Sequence, residues 1–237
     1  MFRKVDNYFD LTNVQSQLVK NSLKEDIYKI RKGIFPLLGK QLNLISDDIK
    51  KDGTLNLQKI ISHKVEFFKI FDKTLIVLEP NVQGLIDVLN PEQLIIFKKE
   101  FDNQTKDLGS DKRYDKIEKQ FEDWMGNLET VQQIEIYNFC KINPILIKEQ
   151  RLNRQILTDR FVESFSDKKI RKEFIHKLFY NYNNLREEHY AKVFDEDQRR
   201  YLELVAVVLN TMTDGQRKYL LATLKDRAEQ IEKASLN

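Results

Sequence analysis

Apolar residues recur every three or four positions along most of the chain, which is the spacing that buries one face of an α-helix. The first stripe extends from about residue 12 to residue 50 and includes Leu38, Leu42, Ile45 and Ile49. The sequence lacks the sustained alternation of apolar and polar residues that would indicate strands. The pattern therefore predicts an all-α protein, built as an elongated bundle of long antiparallel amphipathic helices.

Proline positions indicate where the predicted helices bend or end. Pro36 is expected to bend or break the first helix, because proline removes a backbone donor. The second helix is expected to end at Glu79–Asn81, which contains Pro80. Three more helices are predicted, at about 90–108, 112–125 and 129–165, and the last of them is expected to bend near Pro144.

A long stretch from Asp167 to Asn210 contains neither glycine nor proline. If it forms one helix, that helix is about 60 Å long at ~1.5 Å per residue. A final helix is predicted to start at Thr213. At about 100–200 residues per domain, the chain is expected to be a single all-helical domain at 1–237, or two subdomains at 1–125 and 126–237.

The composition excludes several classes of protein. Of 237 residues, 41% are hydrophobic and 32% are charged, which rules out a membrane-embedded chain and a weakly hydrophobic, disordered one. The single cysteine excludes an internal disulfide and a multi-cysteine zinc site. No uncharged apolar run approaches the ~20 residues of a membrane-spanning helix.

The charged residues are interspersed, and 40 Lys and Arg against 37 Asp and Glu give a net charge of +3. A dedicated nucleic-acid-binding protein usually has a larger basic excess, clustered on one face. The most basic segment is Lys168–Lys172, at the start of a predicted helix. We interpret this segment as a solvated helix face, with an anionic partner as the alternative.

A short phrase recurs at five places, in which an apolar residue is followed four positions later by glutamine. In four of them the second residue is a good N-cap and the glutamine falls at the third helical position, as in a capping box. These four pairs are Thr12 and Gln15, Asn90 and Gln93, Asp195 and Gln198, and Thr213 and Gln216. The fifth phrase ends at Gln132. We expect each box to start a helix and to contribute about 1 kcal/mol.

The sequence contains no recognisable catalytic motif. Glu173 and His176 have the Glu-x-x-His spacing of a carboxylate-bridged di-iron site, but the second such pair that the site requires is missing. Cys140 lies among aromatic and apolar residues and is expected to be a buried thiol. We therefore predict a non-catalytic protein with no metal site and no cofactor.

Two sets of residues are candidates for binding a partner. Trp124 is the only tryptophan and lies two residues before a glycine expected to end its helix. It is either a surface anchor or part of core or hinge packing, and packing is favoured. Arg151, Arg154 and Arg160 lie on one predicted helix and either pair with carboxylates of a neighbouring helix, which we favour, or bind an anionic ligand.

Several of these phrases occur together in a particular order. They are Val5–Leu11 followed by Gln15, then Leu89–Gln93, Trp124-x-Gly126-x-Leu128-x-x-x-Gln132, Arg151 with Arg154, and Met212-Thr213-x-x-Gln216. In this order they resemble a family of helical lipoproteins from Gram-negative bacteria, a domain of unknown function. The resemblance extends over nearly the whole chain, although the family's Trp-His-Arg and Leu-Pro phrases are represented here only by Arg31 and Pro36.

The resemblance implies a cellular location. It implies a mature, periplasm-facing domain, anchored to a membrane only through an N-terminal lipid that this chain does not contain. Cys140 lies in the middle of the chain and is not the lipid-accepting residue. If Met1 is the native start, the cytoplasm is expected instead.

The resemblance and the lack of a catalytic motif together predict a non-catalytic domain that binds a protein partner or an unfolded client. The recurring Leu-Thr-x-x-Gln phrase is also similar to one in small periplasmic chaperones of the Spy type. The alternatives are a cytoplasmic helical adaptor that binds nucleic acid or protein, and a metal-carboxylate enzyme that uses Glu173 and His176. An apolar groove edged by Lys and Arg would favour the first prediction.

Overall fold

The structure, a computed structural model, describes residues 2–106, 111–141 and 144–236. Within these residues the secondary structure consists of eleven α-helices and two short 3₁₀-helices, and no strand is present. The predicted all-α class is therefore confirmed. None of the helices formed by these residues is long and apolar enough to cross a membrane.

Short connections join most of the helices. The α-helices are α1 (Phe2–Phe9), α2 (Asn13–Gly33), α3 (Phe35–Asp52), α4 (Leu57–Ile86), α5 (Pro91–Lys106), α6 (Asp111–Met125), α7 (Thr130–Lys141), α8 (Pro144–Glu163), α9 (Lys168–Tyr180), α10 (Glu188–Asn210) and α11 (Asp214–Leu236). The 3₁₀-helices span Ser164–Ser166 and Tyr182–Leu185.

The prolines differ in their effect on the helices. The break between α2 and α3 falls at Ile34, and Pro36 lies in the first turn of α3, where the missing donor has no intrahelical partner to lose. Pro80 lies inside α4, so the predicted helix end at Glu79–Asn81 is wrong. A proline removes one donor from the ladder, and a helix of 30 residues retains its other bonds.

Two other predicted boundaries involve residues near the gaps in the described ranges. The expected end of the helix that starts near residue 90, at about residue 108, lies outside the described residues. Of the predicted helix at 129–165, the structure describes α7 and α8. The expected bend near Pro144 falls beside residues 142–143, which lie outside the described residues.

The stretch without glycine or proline is not one helix. It contains α9, the 3₁₀-helix at Tyr182–Leu185 and α10, so the single helix of about 60 Å considered above does not form. Asn181 ends α9 with φ −149° and ψ 39°. Asparagine readily ends a helix because its side chain competes for backbone hydrogen bonds. The side chain of Asn153 then accepts from the N–H of Glu187, just before α10, at 2.9 Å.

The chain divides into two compact units, and each is built from three separate segments. Unit 1 contains residues 1–30, 72–108 and 148–191, and unit 2 contains residues 31–71, 109–147 and 192–237. The sequence-based division between residues 125 and 126 lies inside the second segment of unit 2. Neither unit can therefore be recognised as a continuous stretch of sequence.

In unit 1 the first two capping phrases meet. Gln15 and Gln93 each accept a hydrogen bond from the backbone N–H of their own cap residue, Thr12 at 3.0 Å and Asn90 at 3.1 Å. Their side-chain amides also bond to each other in both directions, at 3.0 and 2.8 Å. Each amide donates its second hydrogen to a carbonyl of the chain that leads into the other helix. The pair thereby joins the starts of α2 and α5.

Unit 2 contains the same arrangement at the starts of α7 and α11. Gln132 accepts from the N–H of Glu129 at 2.9 Å, and Gln216 accepts from the N–H of Thr213 at 3.0 Å. The two amides bond to each other at 3.1 and 2.9 Å, and each donates to carbonyls before the other helix. Both glutamines are buried, so these bonds satisfy groups whose unpaired burial costs about 1–3 kcal/mol each.

The remaining phrase does not start a helix. Asp195 and Gln198 lie inside α10, more than one turn after its first residue, so the prediction of an N-cap at Asp195 is wrong. Only the first turn of a helix has backbone donors without intrahelical partners. A capping box has nothing to cap at this position.

The two units have different cores. Unit 1 buries Ile86, Leu94, Phe161 and Ile175, and further phenylalanines pack against them. The core of unit 2 is larger and mainly aliphatic, and it includes Ile49, Ile136, Val208 and Leu224 together with Met125. The unit 2 core borders the cavity described next.

Candidate binding cavity

Unit 2 contains an apolar cavity of about 750 Å³. Its walls come from α3, α4, α6, α10 and α11, together with Leu55 in the connection between α3 and α4. Small-molecule sites commonly have volumes of about 300–1,000 Å³ and mainly apolar linings. The cavity therefore has the size and the character of a binding site.

Helical stripes form the walls of the cavity. The wall on α3 consists of Leu38, Leu42, Ile45 and Ile49, and the wall on α11 consists of Leu220, Leu224, Arg227 and Ile231. Residues three and four positions apart lie on the same face of a helix. The stripe on α3 is the one predicted from the sequence, and in the structure it faces the cavity.

The cavity extends from the core of unit 2 to its surface. Ile49 and Met125 line it and are only 1% and 2% exposed, whereas Phe68, another lining residue, is 48% exposed. An apolar group that enters is removed from water, which is favourable by about 25 cal/mol for each Å² buried.

The charged lining residues are both cationic. They are Lys64 and Arg227, and no acidic residue of the described chain is among the lining residues. The Arg227 guanidinium lies 3.8 Å from the centroid of the Trp124 ring, and the Lys64 ammonium lies 5.6 Å from that of Phe68. No described carboxylate forms an ion pair with either cation; instead, both lie over aromatic faces, which attract positive charge.

Trp124 lies in the wall because of the way α6 ends. Gly126 follows the helix with φ 80°, a left-handed conformation that glycine adopts without strain. Its N–H donates to the carbonyl of Glu122 at 2.9 Å, and the ring of Tyr219 lies 3.7 Å from where a Cβ would be. The Trp-x-Gly phrase thus ends α6 and places the indole against Arg227, which also donates to the carbonyl of the residue before Trp124.

His63 lines the cavity, but both of its ring nitrogens already have partners. Nδ1 lies 2.8 Å from the amide nitrogen of Gln41, and Nε2 lies 3.0 Å from a carboxylate oxygen of Asp48. Because the amide donates to Nδ1, the hydrogen on Nε2 points to Asp48. The Lys59 ammonium beside Asp48 holds the pKa of that carboxyl below its usual range. His63 is therefore a fixed polar part of the wall.

The arginines that the sequence suggested for partner binding lie elsewhere, on α8 in unit 1. Arg160 pairs with Glu187 at 2.6 Å and also donates to the carbonyl of Leu185. Arg151 is exposed and Arg154 is half-buried on the same helix. The structure therefore places them in a different unit from Trp124, and Arg160 forms an internal ion pair.

The basic segment at the start of α9 faces carboxylates. Asp167 accepts from the backbone N–H groups of Lys169 and Ile170, at 2.7 and 3.0 Å. Arg171 and Lys168 pair with Asp87 at 2.9 and 3.5 Å. The helix N-terminus and two of its cations thus already have anionic partners within unit 1.

The residues that the sequence suggested for metal binding or catalysis are engaged in structural contacts. His176 lies 3.2 Å from Glu79 of α4 and stacks on Tyr180. Among the residues that the structure describes, no group of three or more His, Cys, Asp and Glu is arranged to hold a metal. Cys140 packs half-buried against the unit 2 core, and burial raises the pKa of its thiol. A raised pKa disfavours the thiolate that a nucleophile requires.

A sequence model of DUF6279, a family of unknown function, matches residues 7–191. The chain belongs to the DUF6279 family. No curated protein and no solved structure matches it. The DUF6279 match includes the cavity walls on α3, α4 and α6, whereas the lining residues from Tyr201 to Ile231 follow the matched residues.

Of the lining residues, sequence reasoning proposed only Trp124 for binding, and among those that it missed are Lys64, Phe68 and Arg227. One sign of Arg227 was present, since it occupies a position in the apolar stripe of α11 between Leu224 and Ile231. A cation at a stripe position is unusual, because charged residues are seldom buried without a partner. Lys64 and Phe68 are one turn apart on α4, and only the fold shows that they border a cavity.

Proposed function

We propose that this DUF6279 protein is a non-catalytic, periplasm-facing lipoprotein domain that binds a protein partner or an unfolded client. The observation that carries the binding part is the apolar cavity of unit 2, with Lys64 and Arg227 among its lining residues. Unfolded chains and partner segments expose apolar groups, and these groups gain free energy when they leave water for such a cavity.

The exposed face of α4 around the lining residue Phe68 offers a contact surface for a protein. Phe68 and Phe71 on α4 are 48% and 54% exposed, and Val65 is also exposed. These residues are three positions apart, so they lie close together on the helix surface. Contiguous exposed apolar groups with polar neighbours are typical of protein-binding sites.

An aggregation assay tests the client-binding part. A denatured client is diluted into buffer with an equal molar amount of the protein, and its aggregation is followed by light scattering. The intact protein is expected to suppress scattering, and a Phe68→Ser, Phe71→Ser double variant is expected to lose most of this effect. The control is Ile95→Ser, which removes a 71% exposed apolar side chain from unit 1 and is expected to keep the effect.

Two outcomes of that assay contradict the proposal. If the intact protein does not affect the aggregation of several unrelated clients, it is not a binder of unfolded chains. If the double variant and the Ile95→Ser control protect the client equally well, the exposed face of α4 is not the contact surface.

The envelope location is a separate part of the proposal. It is supported by the resemblance of the ordered phrases, above all Trp124-x-Gly126-x-Leu128-x-x-x-Gln132, to those of Gram-negative lipoproteins. Intact mass and N-terminal peptides of the endogenous protein from fractionated cells test it. We expect a lipid-modified cysteine ahead of the domain, in the membrane fraction. An unmodified chain that starts at Met1 in the cytoplasmic fraction would contradict this location.

The nucleic-acid alternative is less well supported by the geometry. It relies on the basic segment of α9, in which Arg171 and Lys168 already pair with Asp87. Binding of DNA or RNA through phosphate contacts would be strongly weakened by salt. Salt-dependent binding of a random-sequence duplex would therefore favour this alternative over the client-binding proposal.

A further inference from the structure

We infer that the unit 2 cavity binds a single-chain amphiphile of the fatty-acid class, with a long hydrocarbon chain and an anionic head group. This goes beyond the proposed function, because the ligand is a small molecule and its binding requires no client. The volume, the polarity and the charge of the cavity each support the inference independently.

The volume exceeds what one side chain would fill. An apolar cavity of about 150 Å³ is enough to bind benzene, and this cavity has a volume of about 750 Å³. It is also deep, because Ile49, Met125 and Leu224 line it and are almost inaccessible to water. A flexible hydrocarbon chain can occupy a space that is both large and deep.

The polarity of the walls favours hydrocarbon over polypeptide. Each peptide unit brings a donor and an acceptor, and burying these without partners is costly. His63 cannot serve as their partner, since Gln41 and Asp48 already occupy its ring nitrogens. Gln120 is exposed at the edge of the cavity. A peptide could insert single side chains, but a hydrocarbon chain can enter as a whole because it carries no polar group.

The charge of the walls selects the head group. Lys64 and Arg227 line the cavity together with no acidic residue of the described chain. Arginine has five N–H donors in a fixed plane, and the structure gives Arg227 one hydrogen bond, to the carbonyl of Asp123 at 3.0 Å. Trp124 holds the guanidinium against one face, so its edge can bind a carboxylate at two points.

Fluorescence of Trp124 provides the test. It is the only tryptophan in the chain and lies in the cavity wall, so its emission reports an occupied cavity. Hexadecanoate is titrated into the full chain below its critical micelle concentration, with hexadecan-1-ol and butanoate as probes that lack the charge and the long chain. We expect saturable one-to-one binding of hexadecanoate, about tenfold or more tighter than hexadecan-1-ol, and no binding of butanoate.

Variants separate the roles of chain and head group. Val205→Phe places a ring in the cavity and is expected to abolish binding of both long-chain probes, whereas Val207→Phe, at an exposed position of α10, is expected to bind like the parent. Arg227→Gln is expected to weaken hexadecanoate binding about tenfold without changing that of hexadecan-1-ol. Affinities of this variant are measured by calorimetry, because Arg227 contacts Trp124.

Three results would overturn the inference, provided that circular dichroism shows each variant to be folded. They are a lack of saturable hexadecanoate binding, undiminished binding by Val205→Phe, and equal affinities for hexadecanoate and hexadecan-1-ol. Binding of an acidic amphipathic peptide that Val205→Phe abolishes, without hexadecanoate binding, would assign the cavity to a protein. Client protection without hexadecanoate binding contradicts this inference alone, and the reverse result contradicts the client-binding proposal alone.

Discussion

Unit 1 and unit 2 begin two of their helices in the same way but fill their interiors differently. Each unit joins two helix starts through a reciprocally bonded pair of buried glutamines. The interior of unit 1 holds a cluster of phenylalanines, in which the Phe161 ring lies 5.0 Å from that of Phe97 and 5.2 Å from that of Phe165. Unit 2 instead turns aliphatic stripes towards a cavity of about 750 Å³.

The difference indicates which feature has a structural role and which is a candidate for function. The glutamine pair occurs in both units, whereas the cavity lined by Ile49, Met125 and Leu224 belongs to unit 2, so the role of the pair is to hold helix starts together. The interiors differ, since phenylalanine rings pack against one another around Phe161 in unit 1, whereas the apolar cavity of unit 2 reaches the fully buried Ile49 and Met125. Protein interiors are normally closely packed. The unit 2 cavity departs from this packing and is therefore the better candidate for function.

The largest expected effect compares two phenylalanines of equal burial. Phe161 in unit 1 and Phe121 in unit 2 are 7% and 8% exposed, but Phe121 lines the cavity. Phe161→Ala is expected to lower the free energy of unfolding by about 3–5 kcal/mol. Phe121→Ala is expected to cost about 1 kcal/mol less, because its ring has fewer packed neighbours to lose. Urea unfolding followed by circular dichroism measures both. Equal losses of unfolding free energy would show that the cavity does not reduce the packing around Phe121.

The next-largest effect concerns the buried glutamine pair, which both units contain. Gln132→Ala leaves the buried amide of Gln216 and the N–H of Glu129 without their partner, which is expected to cost about 3 kcal/mol. Gln15→Ala is expected to cost a similar amount, since Gln15 is bonded in the same way in unit 1. Gln198→Ala is the control from the phrase inside α10 and is expected to change stability by less than about 0.5 kcal/mol. Equal losses for Gln132→Ala and Gln198→Ala would contradict the structural role of the pair.

A smaller effect tests whether the unit 2 cavity is empty space. Val205 lines the cavity, while Val208, three residues later on α10, lies in the closed core. Val208→Phe is expected to destabilise the protein by about 1–3 kcal/mol through overpacking. Val205→Phe is expected to be neutral or stabilising, because the added ring has room. Thermal unfolding measures the pair, and a similar loss from both substitutions would show that the space is not available.

The smallest effect is a pH dependence expected in unit 1. Burial raises the pKa of Asp26, although a hydrogen bond from Asn81 opposes the shift. A carboxyl whose folded pKa is raised stabilises the fold while it is protonated, and that contribution is lost as pH rises through the folded pKa. Asp26→Asn is therefore expected to raise the melting temperature at neutral pH and to have no such effect below about pH 4.

The control for this prediction is Asp72→Asn, at an exposed position of unit 1. It is expected to leave the pH dependence of the melting temperature unchanged. If Asp26→Asn lowers the melting temperature at neutral pH, the bond from Asn81 outweighs the cost of burying the carboxylate.

Much of the fold could be predicted because helical spacing is local. The stripe on α3 and the capping residues Thr12, Asn90 and Thr213 follow from nearest neighbours in the sequence. Pro80 shows the limit of such reasoning, since a long helix tolerates the loss of one donor. The break at Asn181 shows another, because Asn153, whose side chain accepts from the N–H of Glu187 just before α10, is distant in sequence.

The cavity could not be predicted for a different reason. A stripe such as Leu38, Leu42, Ile45 and Ile49 has the same pattern whether it meets a closely packed neighbour or an open space. Which of the two occurs depends on the volumes of residues on four other helices, and these residues come from three separate segments of the chain. Trp124 was recognised as a candidate from the sequence, but its partner Arg227 was not.

A crystal of the protein under xenon pressure tests the central claim most directly, because xenon enters apolar cavities that stay free of water. The account predicts xenon density in unit 2 against Ile49, Met125 and Leu224, and none among the phenylalanines around Phe161 in unit 1. An absence of xenon in unit 2, or equal occupancy around Phe161, would contradict the claim that the apolar cavity of unit 2 distinguishes its interior from the phenylalanine cluster of unit 1.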